Sequence, residues 1–133
     1  MIVVDSNLLV YLHVEGQRTA EAEAVLRRDS DWVLPILWRS EFRKALAGLV
    51  SRRALTLEDA LRIVAEAERG MAAREYAVAS QQVLLLAERS GCSAYDCEYV
   101  SLAQDLGIRL VTADRHVFAA FPAVAVAPAA FAA

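Results

Sequence analysis

The chain has 133 residues, 57% hydrophobic and 23% charged, with a mean hydropathy of +0.33; this suits one compact domain that buries its core without disulfides or a structural metal. A net charge of −3 argues against a broad basic field for nucleic acid, although local patches of its thirteen arginines and single lysine, Lys44, stay open. No apolar run reaches the ~20 residues that cross a bilayer and Asp5 interrupts any signal-peptide pattern, so a cytoplasmic protein is expected, with Cys92 and Cys97 as reduced thiols because their spacing fits no zinc motif.

Met1-Ile2-Val3-Val4 is an apolar, mostly β-branched run suited to a strand buried on both faces, and it ends at Asp5. Ser6 and Asn7 are helix-capping residues ahead of Leu8-Leu9-Val10-Tyr11-Leu12. A more exposed helix is expected from Arg18 to Arg28. Trp32-Val33-Leu34 forms a second strand closed by Pro35, and Ile36 to Arg53 carries apolar residues at helical spacing. Thr56 and Asp59 resemble a capping box before a helix that Gly70 should end. Helices follow from Ala79 to Arg89, stopped by Gly91, and from Ala94 to Leu106, capped by Ser93 and stopped by Gly107. Ile108 to Val111 is a third buried strand, Val124-Ala125-Val126 an edge strand, and Pro128 to Ala133 a loose tail. Unbroken apolar strands separated by helices imply an α/β fold with a parallel sheet covered on both faces.

In such sheets ligands bind outside the carboxyl ends of the strands, where the strand order reverses. Asp5 and Asp114 each closely follow an apolar strand, so both project from one rim. Taken singly, each is explained more simply as a helix cap or turn former. Glu41 and Asp96 are harder to account for. Helical spacing aligns Glu41 with Leu37 and Ala45, and Asp96 with Tyr99, Val100 and Ala103. A carboxylate on a core-facing stripe loses hydration worth several kcal/mol unless a cation or good hydrogen bonds replace it. Neither stripe carries a cationic residue, which leaves an arginine from elsewhere or a bound cation.

Four carboxylates brought together repel and take up protons unless something positive sits among them, and a divalent metal is the simplest candidate. Oxygen ligands suit Mg²⁺ or Mn²⁺. His116 lies near Asp114 but is better suited to a surface or stacking role. Metals held by carboxylates with open positions serve phosphoryl transfer, so phosphodiester hydrolysis is the leading chemistry. Marks of other α/β chemistries are missing: there is no Gly-rich phosphate loop, nucleophile elbow or dinucleotide fingerprint.

These segments resemble the PIN domain family, in particular its VapC-type toxins. Met1-Ile2-Val3-Val4-Asp5-Ser6-Asn7 is similar to the opening strand with its first acid, and Ser40-Glu41-Phe42 to the glutamate-bearing helix. Tyr95-Asp96-Cys97-Glu98-Tyr99-Val100-Ser101-Leu102-Ala103 resembles the third motif and Leu110-Val111-Thr112-Ala113-Asp114 the fourth. The resemblance implies a single PIN-like α/β/α domain over residues 1–133 and Mg²⁺- or Mn²⁺-dependent endonucleolytic cleavage of RNA. It further implies a homodimer and silencing by a small antitoxin. Asp5, Glu41 and Asp96 become the expected metal ligands, with Asp114 acting directly or through water and Ser6 supporting Asp5. Cys97 and Glu98 depart from the small residues common at their positions; Glu98 is either an extra acid or solvent-facing.

The expected reaction is in-line attack of water on the scissile phosphate, leaving a 5′-phosphate and a 3′-hydroxyl. Arg39, Arg43, Lys44 and Arg115 are the candidates for holding the RNA backbone, and a solvated helix face explains them equally well. Two other functions stay open: a non-catalytic PIN-like module that binds RNA or protein, and a metal-dependent phosphatase. Against the latter, Asp5-Ser6-Asn7 lacks a second aspartate two residues on.

Overall fold

The computed structural model describes residues 1–133. Strand β1 (Ile2–Val4) consists of three β-branched residues, all buried, and lies at the centre of the sheet. It pairs in parallel with β2 (Trp32–Pro35) on one side and β4 (Leu110–Val111) on the other, with Val3 in register with both Val33 and Leu110. The short strands β3 (Glu75–Tyr76) and β5 (Ala125–Val126) extend it to five parallel strands in the order β3-β2-β1-β4-β5.

The helices are α1 (Ser6–His13), α2 (Thr19–Arg28), α3 (Trp38–Ser51), α4 (Leu57–Met71), α5 (Ser80–Ser90), α6 (Ala94–Leu106), α7 (Arg115–Ala120) and α8 (Pro128–Ala132). From β1 to β3 the chain crosses the sheet one way, and from β3 to β5 the other. Right-handed connections therefore put α1–α4 on one face and α5–α7 on the opposite face. Packing agrees, since α1 contacts α2, α3 and α4, while α6 lies across β1, β2 and β4 beside α5. The result is the expected three-layer α/β/α architecture. Trp32, Trp38, Phe42, Leu8, Leu9 and Leu34 are the largest fully buried side chains of its core.

Local chemistry accounts for most of the element ends. Thr56 accepts from the Asp59 N–H at 3.1 Å and Ser93 from the Asp96 N–H at 3.0 Å, as their spacing implies. Gly91 and Gly107 end their helices in the left-handed conformation, at φ 73° and 66°. Gly70 does not stop α4, which continues to Met71 without a left-handed residue. Nor do Ser6 and Asn7 cap α1: Asp5 does, accepting from the Asn7 N–H at 3.1 Å.

The tail expected after Val126 is instead an ordered helix. Pro128 occupies the first turn, where its missing N–H costs nothing. Phe131 packs against the core and under the Arg28 guanidinium, whose carbon lies 5.6 Å from the ring centroid. Strand β3 has no sequence signal because it is two residues long and carries a glutamate. It exists because the Leu34 and Ile36 N–H groups find the Arg74 and Tyr76 carbonyls at 3.1 Å.

α3 closes with Arg53 N–H to the Val50 carbonyl at 3.0 Å and Ala54 N–H to the Leu49 carbonyl at 2.9 Å, the double bond pattern that normally uses glycine. Arg53 is the one non-glycine residue at positive φ, 60°. Left-handed backbone costs an L-residue about 1 kcal/mol. Arg53→Gly should therefore raise stability by up to about 1 kcal/mol, seen as a melting temperature a few degrees higher in thermal denaturation.

Candidate active site

The strand order reverses at β1, so the crevice forms where the carboxyl ends of β1 and β4 part. Asp5 leaves β1 and Asp114 follows β4 at that edge. Glu41 leans in from α3 on one face and Asp96 from α6 on the other. All four line one cleft of about 870 Å³. The sheet thus collects acids that are 36, 55 and 18 residues apart in sequence.

A hydroxyl network holds them in place. The Thr112 Oγ1 donates to Asp5 Oδ2 at 2.7 Å and accepts from the Asp114 N–H at 3.1 Å, tying the two strand ends together. Ser6 donates to Glu41 Oε1 at 3.3 Å and lies 3.5 Å from Asp5 Oδ1, so it serves both acids. The Tyr99 hydroxyl donates to Glu41 Oε1 at 2.6 Å, a contact made from the α6 layer to the α3 layer. Asp114 spends one oxygen capping α7, accepting from the His116 and Val117 N–H groups at 2.9 and 3.2 Å. Capping and site geometry therefore coincide at Asp5 and Asp114.

None of these four carboxylates forms an ion pair in the protein. Burial pushes the Glu41 carboxyl above its ordinary value; hydrogen bonds from Tyr99 and Ser6 oppose this, and the charges of Asp5 and Asp96 add to it. Asp96 is raised in the same way, by burial first and then, against the pull of Ser93, by Asp114 and Asp5. Tyr99 is held protonated by burial and by the Glu41 charge beside it. No three His, Cys, Asp or Glu side chains stand together as a ready-made ligand set for a metal ion. Instead Asp5, Glu41 and Asp96 border an inner cavity of about 20 Å³, floored by Thr112, Tyr99 and Leu110. That volume holds one water-sized species.

Other sequence candidates separate in space. Lys44 lines the cleft. Arg39 does not: its guanidinium is held by Glu75 at 2.6 and 2.9 Å and by Glu68 at 2.8 Å, bracing α3 against β3 and α4. That pairing holds the Glu75 carboxyl below its ordinary value and engages all three guanidinium nitrogens of Arg39. Arg43 borders an apolar groove between α3 and α4. Arg115 and His116 are exposed and outside the cleft wall, and Glu98 borders a separate recess with Ile36 and Tyr76. The expectation that no cation shares the inward stripe of Glu41 fails. Lys44 is one turn on, and Arg52, not singled out in the sequence, lines the same wall. Thr112, Tyr99, Asn7 and Tyr95 also went unassigned; the only signal was their adjacency to the acids.

A parallel sheet that gathers four unpaired carboxylates at its switch point defines an α/β protein with an oxygen-lined acidic site. The PIN domain model matches residues 2–124, and the chain belongs to that family. A curated relative, Ribonuclease VapC3 of Pyrobaculum aerophilum, is 27% identical over 126 residues, covering 92% of this chain and 96% of the relative. The fold is similar to that of PAE2754 from Pyrobaculum aerophilum, with a TM-score of 0.76 at 20% identity over 98% of this chain and 85% of the other. It is also similar to a toxin–antitoxin complex from Klebsiella pneumoniae, with a TM-score of 0.72 at 18% identity over 96% and 98% of the two chains. FitAcB from Neisseria gonorrhoeae aligns with a TM-score of 0.69 at 20% identity over the same shares.

Glu41 binds its proton more tightly folded than unfolded. Metal-free stability therefore falls as pH rises from the ordinary carboxylate range through the folded-state value, and the full penalty is present above it. Glu41→Gln keeps an oxygen for Tyr99 and removes the charge. In chelator, its melting temperature should exceed that of the wild type at about pH 7.5, with the two converging near about pH 4.

Proposed function

We propose that this chain is a metal-dependent endoribonuclease, the toxin of a toxin–antitoxin pair. The observation that carries the reading is the inner cavity of about 20 Å³ bordered by Asp5, Glu41 and Asp96, none of which is paired with a protein cation. Carboxylate oxygens are the donors that hard divalent ions prefer, so the residues fit Mg²⁺ or Mn²⁺. Asp5, Glu41 and Asp96 would hold the ion, with the free oxygen of Asp114 completing the site directly or through water. Such an ion supplies charge stabilisation and an activated water for phosphoryl transfer.

The protein's own part is positional. Thr112 fixes Asp5, Tyr99 fixes Glu41, and Ser6 couples the two, so the acids are set before substrate arrives. Lys44 on the cleft wall is placed to meet the RNA backbone. The name of the curated relative and the complex with an antitoxin in a structural neighbour support the assignment to a toxin–antitoxin pair. A homodimer and an antitoxin belong to the same reading, and exposed Leu57 and Leu61 on α4 and Leu84 on α5 are apolar surface such partners would cover.

Incubation of the purified chain with structured RNAs tests this. Cleavage leaving 5′-phosphate ends is expected in Mg²⁺ or Mn²⁺ and not in chelator. Asp5→Asn should be inactive, and Thr112→Val, which frees Asp5 and the Asp114 N–H, slower by roughly 10- to 100-fold. Equal cleavage by wild type and Asp5→Asn would remove the proposed site, and turnover of a small phosphomonoester without RNA cleavage would indicate a phosphatase.

A further inference from the structure

We propose that Lys44 and Arg52, the latter seated on Gly48, form a strip along α3 that grips the phosphates of single-stranded RNA beside the acidic cleft; this rests on the ribonuclease reading above. Glycine inside a helix costs roughly 1 kcal/mol relative to alanine. Gly48 lies well inside α3 at an ordinary helical φ, so backbone conformation does not call for it. The space does. A Cβ at Gly48 would lie 3.2 Å from Arg52 Nη1, 3.9 Å from Cζ and 4.0 Å from Nη2. The Arg52 guanidinium is laid across the bare helix backbone, folded back one turn towards Glu41.

Arg52 is the C-cap of α3, directly before the left-handed Arg53, so the chain departs at once and leaves the folded-back arm exposed. Lys44, Gly48 and Arg52 are spaced four residues apart and line the same wall of the cleft. Arg18, Arg39, Arg62 and Arg74 are all held by acids of the chain, whereas Lys44 and Arg52 are exposed and have no ion-pair partner. Along the axis Lys44 is about 5 Å from Glu41, and the guanidinium resting at Gly48 about 10 Å. That is the scale of successive phosphates on a single strand. The acids would act on one phosphate while the two cations hold its neighbours, Arg52 offering the paired donors that suit phosphate oxygens.

The test is fluorescence anisotropy with a short labelled single-stranded RNA of mixed sequence in Mg²⁺. The full chain carries Asp5→Asn so that the probe survives, and binding is measured over a salt series. Adding Arg52→Ala should weaken binding roughly tenfold and reduce the slope of log affinity against log salt by about 0.7, one phosphate contact. Lys44→Ala should behave likewise. Gly48→Leu should reproduce the Arg52 loss, because its side chain takes the guanidinium's seat, while its melting temperature is unchanged or higher. Unchanged affinity and slope in Arg52→Ala, with the parent still binding RNA, would overturn the strip and leave the ribonuclease reading standing. A parent that does not bind this probe at any salt overturns the strip, and cleavage of structured RNA by the wild type then decides the ribonuclease reading separately.

Discussion

Burial of carboxylates that have no ion-pair partner in the protein is the constraint around which the rest of this structure is arranged. Asp5, Glu41, Asp96 and Asp114 converge on one cleft, Glu41 and Asp96 partly out of water, and none of the four forms an ion pair, although Lys44 and Arg52 line the same wall. Lost hydration weighs first on Glu41 and Asp96, and the charges of neighbouring acids add to it. Hydroxyls cannot cancel that, but they fix where the charges sit. Ser6, Tyr99 and Thr112 each donate to an acid, and Thr112 also holds the backbone on the far side of the crevice. Holding unpaired, partly buried acids costs the fold stability that the proposed cation would restore, a pattern common at functional sites.

Topology makes the convergence possible. Because β1 is central, the chain can leave it towards β2 and later return to β4, opening a crevice only at its carboxyl end. The two helical layers then each deliver one acid over that edge. α6 lies across three strands and buries Tyr99, Val100 and Ala103, which anchors the helix that carries Asp96. α3 is braced from outside, where Arg39 joins Glu75 of β3 and Glu68 of α4. An arginine that in sequence looked like a substrate contact is thus part of the frame that aims Glu41.

The α/β class and the acidic quartet were legible because both rest on local signals: β-branched apolar runs, helical spacing, caps and an acid after each key strand. Inward acids at Glu41 and Asp96 were readable for the same reason, since a charge on an apolar stripe requires explanation. What was not legible depends on contacts distant in sequence. Strand β3 is held by pairing with β2 rather than by its own composition, and α8 by packing of Phe131. Tyr99 was visible as a core position, but its hydroxyl bond to Glu41 spans 58 residues. Arg39, expected as an RNA contact, is paired within the frame, and Arg52 drew no expectation, because the sequence shows charge and spacing, whereas the pairing of Arg39 and the folding back of Arg52 over Gly48 are three-dimensional facts.

A Mn²⁺ titration by calorimetry, run in two buffers of different ionisation enthalpy, tests the central claim most directly. The account predicts saturable uptake by the wild type, with proton release when the titration is run at a pH inside the raised titration range of Glu41 and Asp96, because the cation then displaces the protons those buried carboxyls hold. Neutralising Asp5, Glu41 and Asp96 together should abolish both uptake and proton release. No uptake by the wild type, or equal uptake by the neutralised variant, would contradict it.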